Sequence, residues 1–321
     1  MMSVKDFSKK QIIFVMFNEG EKISFNNDNL VVKSADGKTK LQCTCYRLFI
    51  VFAVGHCTIT SVLLQKAKKF GFFIALMSPG FRLYDIIGAK KDGNTMLRRK
   101  QYGYDGLDIA KHITINKISN QKAILQKVRN KSEAVSEAIE LMNGYCNKIP
   151  EADTLSGIMS YEGLASKVYF KAHFNNIQWN GRQPRIKKDP VNSVLDIGYT
   201  ILFTYIDALL CCYGFDTYCG VMHRQFYMRK SLVCDLVEPF RPIIDHTVKK
   251  AINLKQIKDD DFTVINNQYK LKWDVTPKYV KLLITPLIEI REDIFKFIQE
   301  YYRAFMKGLT ADEYPYFDIT R

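Results

Sequence analysis

Between residues 12 and 87 short runs of β-branched and aromatic residues alternate with turn-forming ones, and the runs 12–17, 22–25, 30–33, 41–45 and 48–54 read as strands. Asn26, Asn27, Asp28 and Asn29 separate the second from the third, and an Asp36-Gly37 pair separates the third from the fourth. Such residues supply the left-handed backbone that tight hairpins need. After Gly55 the spacing turns helical over 61–70, then reverts to an apolar strand at 72–77, and Ser78-Pro79-Gly80 turns the chain into a last strand at 81–87. Past a stretch bearing glycine and lysine, 88–94, apolar residues recur every three to four positions. This predicts helices at 96–102, 120–143, 154–175, 193–213, 231–237 and 277–306. Thr276-Pro277 is a start signal for the last, since proline suits a first helical position. One late hairpin is expected at 262–271, turning at Asn266-Asn267. The pattern is that of an α+β protein in two parts: a β-sandwich-like N-terminal domain over 1–90, and a mainly α-helical domain over 91–321 that carries the chemistry.

Charge narrows the partners. Lys plus Arg number 47 against 33 Asp plus Glu, a formal net charge of +14, which favours nucleic acid or an anionic surface. At 47% hydrophobic and 25% charged, the composition excludes a disordered chain. The eight cysteines form no CxxC pair, which excludes a zinc ribbon. The polar start, residues 1–11, lacks the apolar core of a secretory signal, so reduced thiols and a cytoplasmic location are expected. The apolar stretch 197–215 approaches the length of a membrane span, but Asp207 near its middle favours a buried core helix and no membrane association.

Glu162 is the most informative residue. On the helix expected at 154–175, Leu155, Ile158, Met159, Glu162, Ala165, Ser166 and Tyr169 share one face, which sets a carboxylate within an apolar stripe. Burial obliges that carboxylate to be paired, neutralised or bound to a cation. Gly163, Ala165 and Ser166 leave room for a second element to approach. A structural ion pair with an arginine is the commoner fate of such a residue taken alone.

His223 follows a loop, 214–220, and an apolar Val221-Met222 step; a lone histidine in such a place is more often a core or capping residue than a ligand. What distinguishes it from His56, His112, His173 and His246 is the acidic segment that follows. Asp235 and Glu238 are three apart, so on a helix they address one point, and Pro239 and Pro242 end or kink that helix. Two carboxylates so close need a cation or a proton, only part of which Arg229, Lys230 and Arg241 can supply. A solvated acidic helix edge is the plain alternative. Together, two or three carboxylates and one imidazole make an oxygen-rich set that suits Mg²⁺ or Mn²⁺, and phosphodiester chemistry uses such a site. Basic clusters at Lys90, Lys91, Arg98, Arg99 and Lys100, at Arg182, Arg185, Lys187 and Lys188, and at Arg224, Arg229, Lys230 and Arg241 are candidate phosphate contacts. Each cluster alone is as readily a solvated face.

Several of these segments resemble the CRISPR-associated protein one family of adaptation integrases. They are SYEGLASKVYF (160–170), NSVLDIGY (192–199), GVMH (220–223) and, most specific, RKSLVCDLVEPFRP (229–242), with weaker agreement at NTMLRRKQ (94–101) and SPGF (78–81). The resemblance implies an N-terminal β-domain through which a homodimer or higher homo-oligomer forms, and a C-terminal α-domain. It assigns Glu162, His223 and Glu238 as ligands of Mg²⁺ or Mn²⁺, with Asp235 as an additional acid near the site. Some relatives have Asp where this chain has Glu238, which leaves the division of labour between Asp235 and Glu238 open. The implied reaction is attack by the 3′-hydroxyl of a short DNA fragment on a phosphodiester of the CRISPR repeat, with DNA and the small CRISPR-associated protein two as partners. A structure-specific endonuclease using water at the same site, and a non-catalytic nucleic-acid scaffold whose acids are structural, are the rival readings.

Overall fold

The computed structural model describes residues 2–177, 179–223 and 227–320. The chain begins α1 (Val4–Phe7), β1 (Gln11–Phe17), β2 (Lys22–Asn26), β3 (Asn29–Lys33), β4 (Thr39–Thr44), β5 (Leu48–Gly55), β6 (Thr58–Ile59), α2 (Ser61–Phe70), β7 (Phe73–Met77) and β8 (Leu83–Gly88). It continues through α3 (Thr95–Tyr102), α4 (Asp108–Gln126), α5 (Glu133–Lys148), α6 (Leu155–His173), α7 (Pro190–Tyr213), α8 (Ser231–Val237) and α9 (Arg241–Asn253). The hairpin β9 (Phe262–Ile265) and β10 (Gln268–Leu271) and the helices α10 (Thr276–Glu289) and α11 (Arg291–Lys307) complete it. The α+β class read from the sequence is the one observed.

Strands β1 to β8 form two four-stranded sheets, ordered β1-β5-β7-β8 and β4-β3-β2-β6, and the β9–β10 hairpin is a separate two-stranded one. In the first, β1, β5 and β7 run parallel and β8 closes antiparallel to β7. The hairpin turns are those the sequence signalled: Asn27 and Asp28 in one, Asn266 and Asn267 in another, all at positive φ. Val15, Phe17, Leu48, Val51 and Ala53 of the first sheet meet Ile23, Leu30 and Val32 of the second over Leu63 and Ala67 of α2. The opposite face of the first sheet, including Phe49, Ile50 and Phe52, packs on the helices. A register shift between Gln11 and Ile12 skips Phe49, so Phe49 and Ile50 join the same core. Burial on both faces explains why β5 is apolar throughout. Phe49 meets Tyr205 of α7 edge-on at 5.9 Å, and Phe7 stacks on Phe295 of α11 at 4.1 Å. Such pairs add about 0.5–1.5 kcal/mol each beyond their buried area.

The apolar helix around Asp207 is α7, the central helix of the core; it is long and apolar enough to cross a membrane, yet 78% of that window is buried inside the protein. Asp207 is fully buried and pairs with Lys230 at 2.5 Å. Two helix assignments need correction. The expected helix at 120–143 is two, α4 and α5, and α4 begins at Asp108, with the break at 127–132. The expected helix at 277–306 is also two, α10 and α11, parted at Ile290 one turn after Pro286, which offers no N–H to the ladder. Pro239 and Pro242 do more than end α8: Glu238–Phe240 is a single 3-10 turn, and Pro242 opens α9.

Candidate active site

Three elements converge on Glu162. Its helix, α6, starts where Thr154 accepts a hydrogen bond from the Gly157 amide at 3.1 Å. On that helix Ile158, Ala165 and Tyr169 are buried as the stripe predicts, whereas Met159 is exposed. Ser166, one turn beyond Glu162, donates to its Oε1 at 2.9 Å, and the Lys117 ammonium of α4 pairs with the same oxygen. Lys117 also pairs with Oε2 of Glu238 at 2.5 Å, and the Arg241 guanidinium holds Glu238 Oε1 at 2.8 Å. Burial alone would raise the Glu238 carboxyl, but Arg241 and Lys117 outweigh it and hold the group at about 2. Burial would likewise lower Lys117, yet Glu238 and Glu162 keep it above the ordinary lysine value. The sequence reading missed Lys117 because it placed no helix over 108–119.

Asp235 is held quite differently. It is wholly buried, and its Oδ2 accepts from the amides of Val221 at 2.7 Å and Met222 at 3.0 Å. Its Oδ1 accepts from the His223 amide at 3.0 Å and lies 2.7 Å from His223 Nδ1. Gly220 makes the approach possible, because a Cβ there would sit 2.7 Å from Asp235 Oδ2. Asp235 therefore orients the imidazole, and any ligand bond from this ring falls to Nε2.

Beneath the pair lies a second buried network. A Cβ on Gly198 would fall 2.6 Å from Ile244 Cγ2, so α7 and α9 pack closely and bring Tyr199 against Asp245. The Tyr199 hydroxyl donates to Asp245, and Arg241 lies over the Tyr199 ring at 4.2 Å. Burial pushes Asp245 up to about 6. Lys117, Glu162, Tyr199, Arg241 and Asp245 line a cavity of about 980 Å³ that Phe170 and Trp179 also line. Behind α4 the segment 316–320 is strapped down by two asparagines. Asn116 exchanges hydrogen bonds with the Phe317 backbone at 2.6 and 3.0 Å. Asn120 binds the carbonyls of Phe317 and Pro239 at 3.0 Å each, and the Ile319 amide at 3.1 Å.

The basic candidates divide into engaged and exposed. Arg182 pairs with Asp196 at 2.5 Å, Lys230 with Asp207, and Arg241 with Glu238. Arg98 contacts Asp92 at 3.5 Å, Lys100 donates to the Met306 carbonyl, Lys187 donates to the Gly80 carbonyl at 3.3 Å, and Arg229 donates to Cys234 Sγ at 3.4 Å. Arg99, Arg185 and Lys188 are exposed, and Arg224 lies outside the described residues.

A divalent ion was tested against this geometry. Glu162 and Glu238 come from separate elements and address one positive centre, as metal carboxylates do, and His223 has its Nδ1 side fixed. Among the described residues no three His, Cys, Asp or Glu side chains already converge as a closed ligand set, and the shared position is held by Lys117. The two carboxylates bracketing one positive centre are the part of this geometry that suits a cation.

Fold and site together define a basic α+β protein with two carboxylates bridged by one lysine, of which Glu162 lines a large cavity. The sequence model of CRISPR associated protein Cas1 matches residues 14–284, and the chain belongs to that family. The CRISPR-associated endonuclease Cas1 1 of Thermodesulfovibrio yellowstonii is 32% identical over 229 residues, 66% of this chain and 71% of that protein. Among solved structures, the Cas6-RT-Cas1–Cas2 complex superposes with a TM-score of 0.83 at 21% identity, over 98% of this chain and 36% of the other. A casposase bound to integration product gives 0.79 at 18% identity, over 97% of this chain and 95% of the other.

Proposed function

We propose that this protein is a CRISPR adaptation integrase that joins short DNA fragments to the repeat by metal-dependent transesterification. The observation that carries the reading is the sharing of one cation by Glu162 and Glu238, beside His223 and a cavity of about 980 Å³, in a member of the Cas1 family. In the reaction the donor 3′-hydroxyl loses its proton as its oxygen bonds phosphorus, and the 3′-oxygen of the target strand departs. One phosphodiester replaces another, so no covalent protein intermediate is needed.

Glu162, Glu238 and His223 would hold Mg²⁺ or Mn²⁺, which supplies charge stabilisation at the attacked phosphate. Asp235 fixes the imidazole so that its far nitrogen faces one way only. Arg241, braced by Glu238 and the Tyr199 ring, keeps a guanidinium at the cavity wall. Exposed Arg99, Arg185 and Lys188 are suited to phosphate contacts that position DNA without reading its sequence. Pairing of a second copy through the N-terminal sheets belongs to the same reading, as does association with Cas2, which the Cas6-RT-Cas1–Cas2 assembly supports.

The test is strand transfer by purified protein with Mn²⁺, a labelled fragment and a plasmid bearing the repeat. Glu162→Ala and His223→Ala are each expected to reduce joining by about a hundredfold or more, the scale at which losing a principal electrostatic stabiliser is felt. Undiminished joining by either rejects the assignment. Cleaved DNA without joined product favours the endonuclease that the names of the relatives describe.

A further inference from the structure

The same two oxygens that an ion would use, Glu162 Oε1 and Glu238 Oε2, are the ones bound by the Lys117 ammonium. The lysine side chain is only 6% exposed, so this is no incidental surface contact. A divalent ion at the ~2.1 Å of Mg²⁺–oxygen bonds would fall within the space of that ammonium nitrogen. Two cations so close repel strongly away from water, so both cannot sit between the carboxylates. A separate observation shows where the lysine can go. Gln121, one helical turn further along α4, lines the same cavity and is 1% exposed, and its side-chain oxygen has no hydrogen-bond partner among the described residues. Residues four apart on a helix are neighbours, and an ammonium is a natural donor to such an oxygen.

We propose that Lys117 is a resident counter-ion that holds Glu162 and Glu238 together, yields their shared position to a divalent cation, and then docks on the Gln121 carbonyl facing the cavity. The inference rests on the reading that these carboxylates bind metal. It makes Lys117 a positioning residue with two stations. In the first, the two acids are kept from mutual repulsion. In the second, the Lys117 charge shifts one helical turn along the cavity lining toward Gln121 once the ion has arrived, so loading of the site moves a positive charge within the cavity.

The experiment measures Mn²⁺ binding to DNA-free protein by following the free ion with electron paramagnetic resonance, in the wild type, Lys117→Met and Lys117→Arg. The methionine variant is expected to bind at least about tenfold more tightly, since the competing charge is gone, and the arginine variant more weakly than wild type, since a guanidinium forks onto two carboxylates more persistently. Equal or weaker binding by Lys117→Met overturns the exchange while leaving the metal site intact. Failure of the wild type and both variants to bind Mn²⁺ defeats the metal reading and this inference with it. A second measurement uses the wild type alone and is independent of whether the methionine variant folds: peptide-mapped acetylation of Lys117 relative to the other lysines. Mn²⁺ is expected to raise it several-fold, and an unchanged rate overturns the proposal.

Discussion

Asp235 and Glu238 stand one turn apart on the same segment, both are buried, and they are held by opposite means. Asp235 is gripped by three backbone amides and an imidazole, which are fixed by the fold and carry no net charge while the ring is neutral. Glu238 is gripped by two cationic side chains, Lys117 and Arg241, whose places are set by side-chain torsions rather than by the backbone. An acid satisfied by the backbone is committed to its place, whereas one satisfied by mobile charges can exchange them. On the proposed reading the contrast divides the labour between two carboxylates that the sequence alone leaves equivalent: Asp235 would orient the imidazole, and Glu238 would take the cation.

The largest test of that contrast is Glu238→Gln, which leaves Lys117 and Arg241 without a full counter-charge. Joining should be abolished and the fold weakened by about 3 kcal/mol, the usual scale for breaking a buried pair from one side, as read by urea unfolding. Asp235→Asn should be milder in activity, a fall of about 10- to 100-fold with weaker Mn²⁺ binding, because it disturbs only the support of a ligand. If Asp235→Asn proved as severe as Glu238→Gln while remaining folded, the division would fail. Acid titration sharpens the comparison further. The Glu238 carboxyl is depressed from 4.5 to about 2, so its contribution to stability is complete above pH 4.5 and is lost as pH falls through about 2. Asp245, raised from 3.8 to about 6, has the opposite sign: its contribution is complete below pH 3.8 and is lost as pH rises through about 6. Thermal melting against pH should therefore lose its decline between pH 4 and 6 in Asp245→Asn and its acid limb in Glu238→Gln. The smallest effects belong to cations that hold no acid. Arg185→Ala or Lys188→Ala should leave melting unchanged and lower the salt slope of duplex binding by about 1 each.

What the sequence made legible follows from how local each signal is. Hairpin turns at Asn27-Asp28 and Asn266-Asn267 were readable because the residues themselves prefer the required backbone. The need of Glu162 for a partner was readable from its place among apolar residues, but the partner was not. The expected arginine is Lys117, a lysine 45 positions away on a helix whose first three turns went unrecognised. A signal existed in Ile109, Ile113, Lys117 and Gln121, spaced four apart after an acidic first turn at Asp108. The basic clusters were the least legible: linear proximity cannot tell Arg185, which is exposed, from Arg182, which a half-buried aspartate consumes.

The two asparagines of α4 tie residues 317 and 319 to the helix that bears Lys117 and to the carbonyl beside Glu238. A ribosome makes this chain from its first residue onward, and folding proceeds as segments emerge. The sheets can thus be complete while the acid cluster still lacks its backing, so a half-made copy is a β-rich body with no finished centre. Within the described residues the backing of the acid cluster is therefore among the segments furthest along the chain from the helix it braces.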